Sequence, residues 1–169
     1  ATSDKVHQRL EEAITEARNS DAMEITSIGG RINFWKHTWE LVQQEPLTGW
    51  GTGSYHDEWC RYVTEPGWCG FGSRHPHNQY LLFWMENGAL GVLLFIGILA
   101  AVAHSVWRDD RWRPVVLSFL VILATNSLIN VSLWSSRESH FFTMMLSLLA
   151  AQAYFGTRQT SAAVQKDRM

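Results

Sequence analysis

Three apolar runs crowd the second half of the chain, at residues 87–105, 114–134 and 141–155. A helix rises ~1.5 Å per residue and a bilayer core of ~30 Å takes roughly 20 residues. The first two runs meet that length, and the third meets it if it takes in Ser139 and His140. Whole-chain averages hide this, because a mean hydropathy of -0.12 and a formal charge of -2 resemble an ordinary soluble domain. The two halves differ in charge as well. Residues 1–86 hold seven Lys/Arg against twelve Asp/Glu, whereas residues 87–169 hold seven against four. The reading is a mostly α, polytopic membrane chain: a helical loop region at 1–79, then a transmembrane region at 80–156 with spans at about 80–105, 114–134 and 139–155.

Charge in the links sets an orientation. The link between the first two runs carries Arg108, Arg111 and Arg113, and the tail carries Arg158, Lys166 and Arg168, while the other link has only Arg137 beside Glu138. The positive-inside rule makes the basic links cytoplasmic and places Ser135 to His140, with residues 1–79, on the opposite face. Trp84, Trp107, Trp112 and Trp134 fall at the predicted span ends, where an indole buries its ring and keeps its N–H wet.

The polar half reads as helices and loops. In residues 5–18, Val6, Leu10, Ile14 and Ala17 recur at helical spacing opposite Glu11, Glu12 and Glu16, an amphipathic helix with a solvated acidic face. A second helix is expected over about 30–44, with Ile32, Trp35, Trp39 and Val42 in one stripe and Pro46 as the stop. Gly49, Gly51 and Gly53 then alternate in a loop open to close backbone approach. No strand precedes them, so a phosphate-binding glycine loop is excluded. The tail at 157–169 is polar and expected to be cytoplasmic and disordered. With no initiator Met and no evident signal peptide, the chain reads as part of a longer protein.

Cys60 and Cys69 lie in the same polar half. In an oxidising space they suit a disulfide, and the rival is a zinc site drawing on His56, His75 or His77, although the spacing matches no familiar zinc pattern. A Ser/His/Asp hydrolase has no Gly-x-Ser-x-Gly elbow to build on.

Three blocks together point further: RINFW from Arg31, PLTGWGTGS from Pro46, and HNQYLLFWMENGALG from His77. In this order, ahead of a span, they resemble the core of the O-antigen ligase superfamily, which includes O-antigen polymerases and protein O-oligosaccharyltransferases. The resemblance covers roughly residues 30–155 and implies the C-terminal part of a GT-C-type glycosyltransferase of the bacterial inner membrane, with a periplasmic loop. It implies a glycan donor on undecaprenyl diphosphate and a lipid A-core sugar hydroxyl as acceptor, with membrane lipids around it. Metal, cofactor and nucleic acid are not expected. A polymerase, a protein O-glycosylating enzyme or a non-catalytic membrane scaffold are the alternatives, and the piece by itself is expected to be inactive.

Chemistry assigns the roles. A leaving diphosphate needs charge stabilisation, which an arginine fork supplies, so Arg31 is the first candidate and Arg74 the second. The attacking hydroxyl must lose a proton, and His77, which matches the block, is the expected acceptor; His75 is a neighbour outside that match. Asn78 and Glu86 are expected to contact substrate, although Asn78 also suits a helix cap. Asn126 and Asn130, four apart in the second span, are expected to hydrogen-bond within the bundle.

Overall fold

The computed structural model of the chain describes residues 2–18, 27–63, 67, 69, 74–134 and 136–166. Within them every regular element is a helix: α1 (Thr2–Arg18), α2 (Ser27–Gln44), α3 (Tyr55–Tyr62), α4 (Gln79–Ser105), α5 (Arg113–Ile129) and α6 (Ser136–Lys166). Ser135 and Arg168, and the side chains of Ala17, Arg158 and Lys166, lie outside the described residues. Where a disordered tail was expected from residue 157, α6 continues helically to Lys166.

α1 presents Val6, Leu10 and Ile14 to the exterior, each about half exposed or more. The Glu16 carboxylate reaches the first turn of α2, accepting from the Ile28 N–H at 3.4 Å. There it meets the unpaired donors and positive end of that helix. α2 turns a different stripe inward from the one its tryptophans suggest. Phe34, Thr38, Leu41 and Val42 are buried, whereas Trp39 is 42% exposed and Trp35 only partly covered. The indole of Trp39 instead stands edge-on to Trp84 at 5.4 Å, so the large rings flank the contact with α4 and smaller side chains fill it.

One core holds this outer unit together. Phe34, Leu41 and Val42 of α2 pack with Tyr55 and Trp59 of α3, Leu82 and Met85 of α4, and Val131 from the α5–α6 link. A Cys60–Cys69 disulfide ties the end of α3 to the segment that follows it. A second core of Val102, Val106, Val116, Leu120 and Leu149 joins α4, α5 and α6.

α4 is broken at Gly88, whose φ of 65° and ψ of -165° lie in a region only glycine occupies readily. The break is sharp. Phe95 packs at 5.3 Å from Tyr80 and 5.4 Å from Phe83, although fifteen residues of straight helix would span ~22 Å. The expected span at about 80–105 is therefore two arms, 79–87 and 89–105, folded toward each other. By length and composition alone, taken across its break, α4 is the helix among the described residues that suits a membrane crossing, and α5 is a shorter apolar one. Along the second arm and α5, Leu90, Leu93, Leu94, Ile98, Val121 and Ile122 are more than half exposed. Exposed apolar side chains in that number mark a surface suited to lipid or to a protein partner.

Candidate active site

The two arms of α4 leave orphan backbone groups, and the glycine loop satisfies them. In an unbroken helix the Met85 and Glu86 carbonyls would accept from residues 89 and 90. Here they accept from the N–H groups of Trp50 (2.8 Å) and Gly51 (2.9 Å), and the Ala89 N–H donates to the Pro46 carbonyl (3.0 Å). Side chains reinforce the joint. Trp84 Nε1 donates to the Pro46 carbonyl, Trp50 Nε1 to that of Leu41, and Thr52 Oγ1 to Asn87 Oδ1. No room remains for a side chain at the crossing. A Cβ on Gly49 would lie 2.5 Å from the Gly88 nitrogen, and one on Gly88 would overlap the Leu47 carbonyl oxygen. Two of the three sequence blocks are thus halves of one backbone joint.

Glu86 belongs to this joint. It is 7% exposed, and its carboxylate accepts from the backbone N–H groups of Gly53 and Tyr55. Those donors open α3, whose N-cap Ser54 makes no side-chain cap bond, so Glu86 does the capping from a neighbouring helix. Beside it, between the arms, lies a cavity of about 550 Å³ with Thr48, Thr52, Glu86 and Asn87 at one end and Phe83, Leu94 and Ile98 along its wall.

His77 stands just ahead of the first arm. Its φ of 51° is left-handed, uncommon outside glycine. Asn78 follows as N-cap, accepting from the Leu81 N–H and donating through Nδ2 to the Leu128 carbonyl, both at 3.0 Å. Gln79 Oε1 accepts from the Leu133 N–H, and Tyr80 Oη donates to the Ala124 carbonyl. The turn bearing His77 is therefore pinned to the end of α5. Asn126 and Asn130 stiffen that end by bonding Ser132 Oγ and Glu138 Oε2.

The His77 ring lies 6.1 Å from Phe34, one turn along α2 from Arg31. Burial, and then the positive charge of Arg31, push its pKa below the ordinary 6.5. Near neutral pH the imidazole is thus uncharged and able to take a proton, with a fixed cation close by. Arg31 and Arg74 are both exposed. Phe34 of the remaining block, RINFW, meets the His77 ring, and the charge of Arg31 from the same block reaches it. The structure turns Glu86 toward the glycine loop and commits Asn78 to capping. His56 Nε2 sits 3.8 Å from Cys60 Sγ, but the two sulfurs are bonded to each other and offer no thiolate for zinc.

Sequence reasoning did not find the joint between Gly49 and Gly88. Asn87-Gly88, a turn dipeptide inside an apolar helical run, was the available signal.

The sequence model for O-antigen ligase matches residues 3–96. The chain belongs to the O-antigen ligase family. It is 31% identical over 93 residues to the O-antigen ligase of Salmonella typhimurium, an alignment covering 51% of this chain and 23% of that protein. An uncharacterised protein of Haemophilus influenzae is 30% identical over 78 residues, 44% of this chain and 19% of the relative. The chain thus spans about a quarter or less of these relatives. The family match covers α2, the glycine loop, the His77 turn and the break in α4, which together make the site.

Proposed function

We propose that the chain carries the reacting face of a glycosyltransferase that moves a glycan from undecaprenyl diphosphate to a sugar hydroxyl of lipid A-core. The site faces the periplasm at the inner membrane. The observation that supports this is the half-buried His77, whose pKa is held below the ordinary value by burial and by the charge of Arg31, on the turn that opens the first arm of α4. His77 accepts the proton of the acceptor hydroxyl as its oxygen bonds to the anomeric carbon. The bond from that carbon to the diphosphate oxygen breaks, and the undecaprenyl diphosphate leaves with its new charge set against the Arg31 fork. Arg74, exposed three residues before His77, takes the outer phosphate or the glycan on this reading. The joint at Gly88 fixes the loop after α2 on α4, and the end of α5 fixes the His77 turn, so both elements of the proposed site are held on the same helix.

The test uses the intact protein and reads ligated glycan per membrane-inserted enzyme. His77→Ala should lose roughly 100- to 10,000-fold, the usual contribution of a general base. Arg31→Ala should be severely impaired, and Arg31→Lys should recover only part of the loss because it keeps charge without the fork. Near-normal transfer by both alanine variants would overturn the assignment in favour of a scaffold.

A further inference from the structure

We propose that His75 is a positioning residue for His77, its ring holding the His77 backbone in the left-handed conformation from which the imidazole reaches the acceptor. This rests on the reading of His77 as the proton acceptor. Sequence alone sets His75 aside as a neighbour outside the matching block. Its place in the fold gives it work.

The tripeptide His75-Pro76-His77 is a short strap with a fully buried centre. Proline fixes its own φ and pushes the residue before it into extended backbone, which leaves His77 to make the turn into Asn78 and α4. His77 makes it at a φ of 51°, a conformation that persists where neighbours enforce it. The enforcing contacts come from His75. Its Nδ1 accepts the His77 backbone N–H at 3.4 Å, and its ring stands edge-on to the His77 ring with centroids 4.5 Å apart. Trp134, from the link after α5, meets the His75 ring at 4.9 Å. That link is itself fixed by the buried Val131 and by the Leu133 N–H on Gln79. A line of contacts therefore runs from the α5–α6 link through Trp134 and His75 to His77.

Only an uncharged His75 can accept at Nδ1. Burial, then the neighbouring His77, lower its pKa to about 4, so the lone pair is available throughout the neutral range. With Nδ1 engaged by the backbone, His75 serves the turn and His77 serves the substrate.

The closing experiment compares His75→Ala, His75→Asn, His75→Phe and His77→Ala in the intact protein, by transfer kinetics and by the backbone amide resonance of residue 77. Asn carries Oδ1 close to where His carries Nδ1, whereas Phe keeps a ring and no acceptor. His75→Ala should lower kcat by ~10- to 100-fold, the scale of a misplaced reacting group, with KM for the donor changed less than about twofold. His75→Asn should recover most of the rate and return the residue-77 amide toward its wild-type position, and His75→Phe should do neither. If His75→Ala fails to insert, the Asn–Phe pair decides alone. Equal rates and equal amide shifts for Asn and Phe would overturn the proposal, as would a His75→Ala enzyme at wild-type kcat. Full transfer by His77→Ala would sink the catalytic reading, while the amide shifts would still report whether His75 holds the turn.

Discussion

The outer unit and the apolar helices are stabilised in opposite ways. Around α2, α3 and the first arm of α4, the core mixes aromatic rings with Leu, Val and Met, and backbone groups freed by the helix break are taken up by the glycine loop. A disulfide closes the far side. Around the second arm, α5 and α6, the core is a thin seam of Val and Leu, and large apolar side chains face outward. The first region is specified by geometry that tolerates little change, the second by apolarity that tolerates a good deal. Precision is concentrated where the proposed reacting groups sit. The second arm, α5 and α6 leave large apolar side chains on their outer faces.

The largest effect should come from the joint. Gly88→Val or Gly49→Ala puts a Cβ into backbone at a positive φ. Strain and overlap together should cost more than ~3 kcal/mol and release the loop from α4. Proteolysis at the glycine loop in membranes should then appear at temperatures where the wild type is protected. A variant as resistant as the wild type would break the contrast between the two regions.

The disulfide comes next. Replacing Cys60 and Cys69 together by Ser should lower stability by ~2 to 3 kcal/mol through the freed short loop. Amide exchange should quicken in α2 and α3 and stay unchanged in α5. Equal quickening in both would mean that the two regions unfold as one. The smallest effect belongs to the apolar surface, where Val121→Ala, at a position 64% exposed, should shift the melting temperature in lipid by less than the scatter expected of ~0.5 kcal/mol. A large loss there would show that a specific partner helix, and not lipid, covers that face.

The apolar runs made the helical class legible in the sequence, since nothing else accommodates such segments with backbone polar groups satisfied. The three blocks marked the segments that the family match covers up to residue 96. Hidden from the sequence was the reason two of them go together: backbone-to-backbone contact between Gly49 and Gly88 leaves no side-chain signature beyond the glycines themselves. Of the expected α2 stripe Val42 is buried, but Trp39 is not, and the fully buried Thr38, its hydroxyl donating to the Phe34 carbonyl, faces inward instead. Glu86 looked like a group awaiting substrate, and the amides it meets come from a loop more than thirty positions earlier in the chain. Pairing of that kind is fixed by tertiary contact, not by local pattern.

The central claim is that His77 works as an uncharged base beside Arg31, and the pH dependence of transfer tests it most directly. A base must be unprotonated, so transfer is fully present above the His77 pKa and lost as pH falls through it. Burial and Arg31 both lower that pKa, which puts the acidic limb of kcat/KM below 6.5. Arg31→Ala removes one of the two causes, so the limb should move to higher pH. The residual activity of His77→Ala should show no such limb. A limb that stays in place in Arg31→Ala, or that survives in His77→Ala, would contradict the account.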